Sequence, residues 1–444
     1  MEETLNKISL AASTYRQAWL AIGRQQNFQK LVEVQNGKLL RLIKFAAEHV
    51  KYYRESFEKE GISPAQIRSR EDLAAIPILT RQQLRERFWD FLPERLSACR
   101  VSRTSGSTGV PVCILSDRNS RCFNSAAVIR YRQALGVPFV GRAIITPLKR
   151  EDDPARKAHW TYLQGIHKTY YVNPYTDSAQ EIAHACEILT KLKNPILIGI
   201  TPALRRLAYC VRDSILPQFR PAVVLTMGEV LNPQVRCLLE SIFAAKVADI
   251  YACNEAGDVA WQCLEGDGYH INADNVIVEI IKDGKPVELG QVGEVVITNL
   301  NRYAMPIIRY RNGDLARFST ESCLCGCKLP MLAEIIGRSG EDITLPSGKV
   351  MPWNQLKGLM NHPHIRQFQL IQNADSSFLV KYIKEPNADR KPLERLILER
   401  YQKLLGACLP IKVELVNQIP PAISGKSKLV ISHYKRALEQ GSYG

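Results

Sequence analysis

The sequence contains no apolar run of about eighteen residues, the length that a helix needs to cross a bilayer. Its N-terminus, MEETLNKISLAASTYRQAW, has acids where a secretory signal has bases, and it lacks a continuous apolar segment. We therefore expect no membrane span and a cytoplasmic location. Internal repeats and low-complexity tracts are also missing, and the apolar fraction of 45% is ordinary for a globular protein.

Acidic residues are in deficit, since 44 Asp and Glu accompany 59 Lys and Arg, which gives a formal net charge of +15. The bases are scattered, and no repeat of aromatic and basic residues accompanies them, so no nucleic-acid partner is expected. The charge indicates anionic small substrates or an acidic partner surface instead. The sequence carries no signal for the oligomeric state.

The chain contains twelve cysteines, but the sequence lacks the secretory signal that would favour a disulfide framework. Disulfides persist in oxidising compartments, and no secretory signal directs this chain to one. The thiols are therefore expected to be reduced, and some of them can serve as metal ligands.

The 444 residues exceed what one hydrophobic core usually supports, so at least two domains are expected. Short apolar runs alternate with helical segments from about residue 120 to 260, which predicts α/β units around a largely parallel sheet. The stretch 276–300 predicts an antiparallel hairpin that turns at Asp283 and Gly284. We predict a large N-terminal α/β domain with an antiparallel β portion over 1–336, and a small C-terminal α+β domain over 337–444.

Two amphipathic helices are predicted before residue 100. The second, RQQLRERFWDFL, has Thr80 as its cap. The first lies in LLRLIKFAAEHVKYY, where one helix face is apolar and expected in the core. That face consists of Leu39, Leu40, Ile43, Ala47 and Val50.

The stretch RTSGSTGVPV at 103–112 combines two glycines with four hydroxyl side chains. Glycine backbone N–H groups and hydroxyls can converge on an anion, so the stretch can cradle a phosphate. A Ser/Gly-rich surface turn is the alternative on composition alone. It is not the common triphosphate-binding loop, because Val110 and Pro111 stand where that loop has its lysine. A lysine for ATP must come from elsewhere.

Six short stretches follow one another along the chain. They are RTSGSTGVPV at 103–112, MGEVLN at 227–232, DIYACNEAGD at 249–258, IRYRNGDLARF at 308–318, IIGRSGED at 335–342 and AISGKSKLVIS at 422–432. In this order they resemble the adenylate-forming superfamily of acyl- and aryl-coenzyme A ligases, most closely its phenylacetate:coenzyme A ligase-like branch. FAAEHVKYYRESFEKEGI and DLAAIPILTRQQLRE also look like that branch. The resemblance implies that the small C-terminal domain is a mobile lid.

The resemblance assigns the parts of an ATP site. It implies that the glycine-rich loop holds the β- and γ-phosphates, with Thr108 also a catalytic residue. It implies that Glu255 carries Mg²⁺, which prefers oxygen ligands. Tyr251 would stack on the adenine, and Gly228 and Glu229 match the pair at the adenine edge. The loop residues concerned are Thr104, Ser105, Gly106, Ser107, Thr108 and Gly109.

Three further residues match the ribose site and the lid. Asp314 would accept both ribose hydroxyls, although NGD is also good turn chemistry. Arg338 resembles the arginine near the hinge, with a surface arginine as the alternative. Lys426 matches the family's mobile lysine, which bridges the attacking carboxylate and the α-phosphate. Lys428 competes for that role, and either lysine could be a solvated loop residue.

Three positions depart from the family's pattern. Ala252 replaces the glycine after the tyrosine, Asn254 stands where threonine or serine is common, and Asn312 replaces a threonine. Ala252 could narrow the acyl pocket. These departures affect the choice of acid more than the adenylation step.

Soft metal ligands occur in two segments, WQCLEGDGYHIN and ESCLCGCKLP. Two such clusters separated by strands can close a tetrahedral zinc site. The resemblance selects four ligands, Cys263, His270, Cys323 and Cys325, and leaves Cys327 where the family often has arginine. A closed four-ligand site leaves no position for substrate, so the zinc would be structural. A cluster of free loop thiols is the alternative.

The expected activity is ATP-dependent conversion of a carboxylic acid to an acyl-adenylate, followed by acyl transfer to coenzyme A. We expect an aromatic or medium-sized acid, near Cys253 and Thr226. The aromatic run HWTYLQGIHKTYY could wall an aryl pocket or could be core. Transfer to an amine, a hydroxyl or a carrier-protein thiol is an alternative, and a catalytically silent ATP-binding partner is another.

Overall fold

The computed structural model describes residues 2–96, 98–103, 112–145, 159–162, 164–176, 178–338, 343–351, 353–356, 359, 362, 364–420 and 429–434. The chain divides into two compact units, residues 1–335 and 336–444, which we take one at a time. The boundary predicted from the sequence lies one residue further along the chain. None of the helices within the described ranges is long and apolar enough to span a bilayer.

The α-helices are found in both units, and α9 and α10 belong to the second. Their bounds are α1 Glu2–Arg24, α2 Phe28–His49, α3 Lys51–Glu60, α4 Arg81–Glu86, α5 Arg118–Ala134, α6 Ala179–Lys191, α7 Thr201–Arg212, α8 Pro233–Phe243, α9 Trp353–Leu356 and α10 Arg390–Leu405. Short 3-10 helices cover Pro64–Gln66, Arg70–Ala75 and Phe88–Phe91.

The strands of the first unit begin after these N-terminal helices. Their bounds are β1 Arg100–Arg103, β2 Cys113–Ser116, β3 Val140–Ile145, β4 His159–Thr161, β5 Ile166–Tyr171, β6 Ile196–Ile200, β7 Val223–Met227, β8 Val247–Cys253, β9 Gly257–Gln262, β10 Tyr269–Ile271, β11 Val276–Lys282, β12 Lys285–Pro286, β13 Gly293–Asn299, β14 Tyr310–Phe318 and β15 Met331–Arg338. The division between the units falls within β15.

The second unit contains the remaining strands. They are β16 Ile343–Thr344, β17 Val350–Met351, β18 Ile365–Gln372, β19 Phe378–Lys384, β20 Ile411–Leu415 and β21 Val430–Ser432. Strands β18 to β21 form one sheet in the order β20-β19-β18-β21. The buried face of α10 contributes Leu393, Ile397 and Tyr401 to the same core as Phe368 and Val380. This is the small α+β domain that the sequence predicts.

A sheet of thirteen strands dominates the first unit, in the order β12-β11-β13-β14-β15-β10-β9-β8-β7-β6-β3-β5-β4. From β5 to β8 the neighbours β5-β3-β6-β7-β8 run parallel. Strand β6, ILIGI, is buried at every residue, as expected of a parallel strand covered on both faces. From β8 onwards, β8-β9-β10-β15 and β14-β13-β11-β12 pair antiparallel. The predicted α/β class with an antiparallel portion is confirmed.

The N-terminal helices differ in detail from the prediction. Leu39, Ile43 and Val50 are buried, but Leu40 is 43% exposed, because the buried stripe runs through Leu42 instead. Val50 does not continue the helix. It is extended, with φ −122°, and forms a β-bridge to Pro93 that separates α2 from α3.

The predicted helix after Thr80 is shorter than its pattern. Thr80 and Gln83 form a capping box, and the Thr80 side chain accepts a hydrogen bond from the Gln83 backbone N–H. Helix α4 ends at Glu86, and the chain continues as a 3-10 helix from Phe88. The aromatic residues at the end of the predicted helix therefore belong to a separate 3-10 helix, Phe88–Phe91.

Candidate functional site

A tyrosine, an asparagine and an aspartate from two strands meet in the first unit. The Tyr251 hydroxyl in β8 donates to Asp314 Oδ2 in β14 at 2.7 Å. Asn312 Nδ2 donates to the same oxygen at 2.8 Å and to the Tyr251 hydroxyl at 2.6 Å. Gly313 between them has φ +84°, a conformation that glycine adopts without strain. The two motifs predicted to contact adenosine are thus brought together.

The electrostatics of this triad make Tyr251 a hydrogen-bond donor at neutral pH. Burial and the Asp314 carboxylate both raise the pKa of Tyr251. The aspartate is itself 9% exposed and receives two side-chain donors on one oxygen. Asn312, which departs from the family's threonine, is what supplies the second donor. The departure therefore adds a contact to the carboxylate that we expect at the ribose.

Glu255 lies in the turn between β8 and β9 and is 5% exposed. Its Oε1 accepts a hydrogen bond from the Tyr310 hydroxyl at 2.9 Å and lies 3.8 Å from an Arg81 guanidinium nitrogen. Burial, together with the Glu255 carboxylate, raises the pKa of both Tyr310 and the nearby Cys253 thiol. Glu255 is therefore a fixed carboxylate with a cation beside it.

The base of the glycine-rich stretch lies beside this turn. Strands β1 and β2 pair antiparallel and place Arg103 opposite Cys113. Asn254 Nδ2 donates to the Arg103 carbonyl oxygen at 3.2 Å. The predicted phosphate-binding residues Thr104 to Gly109 themselves lie outside the described residues, as does Lys426. Asn254, another departure from the family pattern, thus joins the loop's first strand to the Glu255 turn.

The remaining residues that were predicted to contact the nucleotide lie at the end of a strand or directly after one. Gly228 comes directly after β7 with φ +85°, and the Glu229 carbonyl oxygen accepts a hydrogen bond from the Thr201 hydroxyl at 3.3 Å. Arg338 is the last residue of β15 and belongs to the second unit. Gly228 and Glu229 are therefore at the edge where parallel strands end, which is where open α/β sheets bind ligands.

A buried carboxylate that no sequence motif indicated lies below this edge. Asp249 Oδ1 accepts from the Thr226 hydroxyl at 2.5 Å, and Oδ2 accepts from the Tyr269 hydroxyl at 2.8 Å. Burial raises the pKa of Asp249 to about 6. The only local signal was an acid within the apolar run VADIYAC. Arg81 and Tyr310 were missed as well, because their contacts with Glu255 join segments far apart in the sequence.

Four soft ligands converge at a second place in the same unit. The ligand atoms of Cys263, His270, Cys323 and Cys325 all lie within 4.8 Å of one another. The Cys263 and Cys323 sulfurs are 3.3 Å apart, as are the Cys325 sulfur and His270 Nε2. Cys327 lies apart from the four and has its sulfur 3.9 Å from the Gln25 carbonyl oxygen.

The protonation of these groups is relevant to metal binding. Burial, with Arg130 nearby, lowers the pKa of His270 to about 4, so the imidazole is neutral and Nε2 can act as a ligand. Burial raises the pKa of Cys263 to about 12, so this thiol needs a cation to become a thiolate. Three sulfurs and one imidazole nitrogen are a donor set that zinc accepts.

Comparisons with known proteins find relatives that match most of this chain. A phenylacetate-coenzyme A ligase of Thermus thermophilus is 25% identical over 91% of this chain and 96% of its own. One from Escherichia coli K12 is 26% identical over 76% of this chain and 77% of its own. Protein CapK of Staphylococcus aureus is 21% identical over 93% of this chain and 92% of its own. The family described as CapK C-terminal domain matches residues 348–433.

Solved structures give the same fold. A 2-hydroxyisobutyryl-CoA ligase in the postadenylation state with R3-HIB-AMP is 19% identical and covers 95% of this chain and 94% of its own, with a TM-score of 0.75. At that identity the likeness establishes the fold. The resemblance to phenylacetate:coenzyme A ligases expected from the motifs is confirmed.

Proposed function

We propose that this protein activates a carboxylic acid with ATP and transfers the acyl group to coenzyme A. The observation that carries the proposal is the convergence of Tyr251, Asp314 and Glu255 beside the base of the glycine-rich stretch. These are the groups that the resemblance assigns to adenosine and to the metal of ATP. The similar proteins named as coenzyme A ligases support the same reaction.

The chemistry explains why such a site is needed. A carboxylate oxygen attacks the α-phosphorus of ATP, the bond from that phosphorus to pyrophosphate breaks, and an acyl-adenylate forms. The coenzyme A thiol then loses its proton and attacks the acyl carbon, and AMP departs with the bonding electrons. The protein's task is to hold two anions together and to neutralise the charge that develops.

In this proposal the described residues hold ATP at two points. Asp314, oriented by Tyr251 and Asn312, accepts the ribose hydroxyls. Glu255, held by Tyr310, fits Mg²⁺, which proteins usually bind through one or two carboxylates together with substrate phosphates. When bound, Mg²⁺ would neutralise phosphate charge. Arg81 lies beside Glu255 and adds positive charge next to the carboxylate that would hold Mg²⁺.

The remaining predicted residues, of which Arg338 is described and the others are not, have roles supported by the motif resemblance. Thr104 to Gly109 would donate to the β- and γ-phosphates, and Lys426 would bridge the carboxylate and the α-phosphate. Arg338 would act near the hinge of a mobile C-terminal domain.

A structural zinc is part of the proposal. The four ligand atoms of Cys263, His270, Cys323 and Cys325 are close enough for one tetrahedral ion. Among the described residues, the group of ligand atoms this close together has four members and does not include Cys327. The zinc would join the β9–β10 segment to the loop that precedes β15.

The acid that we propose is aromatic or medium-sized, and we place the protein in the cytoplasm, where ATP and coenzyme A are available. The relatives named for phenylacetate support the aromatic choice. Transfer to an amine, a hydroxyl or a carrier-protein thiol uses the same first step. It differs in one observable, because AMP release would then not depend on coenzyme A.

The test measures pyrophosphate release from Mg-ATP across a panel of aryl and alkyl carboxylic acids. We expect release that depends on the acid, that vanishes in Lys426→Ala and that persists in the neighbouring control Lys428→Ala. AMP release is then measured with and without coenzyme A for the best acid. Failure of every acid in protein that binds ATP would overturn the proposal and favour a catalytically silent partner.

A further inference from the structure

A cavity of about 530 Å³ opens in the first unit between α1, α2, the start of α5 and the loop before β14. Small-molecule sites usually measure roughly 300–1,000 Å³. None of the described residues that we assign to ATP or to zinc lines this cavity. Its wall combines three aromatic side chains, Phe45, Phe123 and Tyr303, with two arginines, Arg95 and Arg118.

Both arginines are exposed at the cavity, and within the described part of the chain neither forms an ion pair. Arg118 donates a hydrogen bond to the Ser9 hydroxyl at 2.6 Å, which holds its guanidinium against α1. Guanidinium groups bind phosphate through paired donors, which makes arginine better suited to this anion than lysine. Among the described residues, the two side chains are therefore cations without a carboxylate ion pair at the mouth of a cavity.

The acid in the cavity wall is already satisfied. Asp117 Oδ1 accepts from the backbone N–H of Ser120 at 2.7 Å. Its Oδ2 accepts from the N–H groups of Tyr303 and Ala304 at 2.7 and 2.8 Å. Asp117 is buried, and its charge also faces the buried Arg302. This carboxylate fixes the wall and leaves the arginines available to a ligand.

More positive charge lies behind the aromatic wall. The Lys38 ammonium sits 3.8 Å from the Phe123 ring centroid and donates to the Asp274 carbonyl oxygen at 2.5 Å. The Asp274 carboxylate is shared by Arg130 at 2.9 Å and Arg24 at 3.5 Å. Two arginines thus share one carboxylate, and burial lowers the pKa of Lys38 to about 7, so this amine is partly charged at neutral pH. A nearby anion would compensate this surplus of positive charge.

The aromatic side chains favour an apolar group on the same ligand. Phe45 and Tyr303 pack edge to face, with ring centroids 5.0 Å apart, and both are half-buried. Phe123 is also half-buried, and Lys38 lies over its ring. Aromatic faces of this kind bind planar apolar groups.

We propose that this cavity binds a small phosphate ester, with its phosphate at Arg95 and Arg118 and its organic group against Phe45, Phe123 and Tyr303. A nucleoside monophosphate shares both parts of this chemistry, whereas 4′-phosphopantetheine shares only the phosphate. The binding is separate from adenylation, so it can be measured whether or not the proposed reaction takes place.

The experiment is isothermal titration calorimetry of the full chain with phenyl phosphate, which carries the two recognised groups and little else. We expect saturable binding that weakens at least about tenfold in Arg95→Ala and in Arg118→Ala, since each removes charged hydrogen bonds to the phosphate. Arg220→Ala is the matched control, because Arg220 is an exposed arginine of the same unit that does not line the cavity. It should bind as the wild type does.

Further titrations identify the source of the phosphate. Phenol and inorganic phosphate, each alone, should bind more weakly than phenyl phosphate, and AMP and 4′-phosphopantetheine are then compared with it in competition. Melting temperatures of the variants should match the wild type, which shows that they fold. Absence of saturable phenyl phosphate binding by the wild type, or wild-type affinity in both arginine variants, would overturn the proposal.

Discussion

The contact between Asp314 and Tyr251 joins parts of the chain that are far apart in the sequence. Their side chains are hydrogen-bonded at 2.7 Å although they lie 63 residues apart in the sequence. Each motif gains weight only as part of the ordered series, and the contact needs β8 and β14 in their final places. The contact of Arg81 with Glu255 is similar, and no local pattern predicts it because the two residues share no element.

Replacing Asp314 tests the ribose assignment. Asp314→Ala should raise the KM for ATP by about 10- to 100-fold, because charged hydrogen bonds contribute about 1.5–3 kcal/mol. The kcat should change less, since ribose contacts are alike in the ground state and the transition state. Acid-dependent ATP–pyrophosphate exchange measures both constants. Glu288→Ala, an exposed acid of the same unit, is the control, and an unchanged KM in Asp314→Ala would refute the assignment.

Asp249 makes stability depend on pH. Burial raises its pKa from 3.8 to about 6, so between these values the folded protein keeps a proton that the unfolded chain has lost. The free energy of unfolding therefore falls as pH rises through this window. The shift corresponds to about 3 kcal/mol.

The variant Asp249→Asn removes this titration. The difference in the free energy of unfolding, variant minus wild type, should increase by about 3 kcal/mol from pH 4 to pH 7. The altered hydrogen bonds add a constant offset that does not change with pH. Urea denaturation at a series of pH values measures the difference. Asp72→Asn should show the opposite trend, because the backbone N–H groups of Arg68 and Ser69 lower the pKa of Asp72. If the difference between Asp249→Asn and the wild type does not change with pH, the Asp249 carboxyl ionises with an ordinary pKa.

At the scale of elements, continuous apolar runs were the most reliable signal. Strands β6 and β7 lie in the region from about residue 120 to 260 where apolar runs predicted a parallel sheet, and burial on both faces leaves few polar positions in them. The predicted helical stripe was partly wrong, because Leu40 is exposed and the buried face of α2 runs through Leu42 instead. Val50 breaks the helix through a bridge to Pro93, a long-range contact that helical periodicity cannot show.

The cap of α4 provides a test at this scale. Thr80→Ala should lower the free energy of unfolding by about 1 kcal/mol, because the Gln83 backbone N–H loses its acceptor. Thr80→Ser keeps the hydroxyl and should remain close to the wild type. Because α4 begins with Arg81, the alanine variant should also weaken ATP binding. Chemical denaturation and ATP titration measure the two effects, and equal stability of both variants would contradict the capping role.

At the scale of the whole molecule, the candidate zinc site predicts a dependence on metal. Purified protein should contain about one zinc per chain, and a strong chelator should lower its melting temperature, since binding energy at a structural site is folding energy. Cys263→Ser should lose the metal and its sensitivity to the chelator. Cys237→Ser changes an exposed cysteine outside the cluster and should behave as the wild type. Far less than one zinc in the wild type would refute the site.

The order of the large sheet has a consequence for synthesis of the protein. Tyr251 belongs to β8, but its partner Asp314 arrives only with β14, after the sheet has changed from parallel to antiparallel pairing. A ribosome must therefore release the chain beyond residue 314 before the two side chains can meet. A nascent chain arrested earlier lacks the carboxylate that we propose for the ribose, so in this proposal nucleotide binding during translation would report that β14 has joined the sheet.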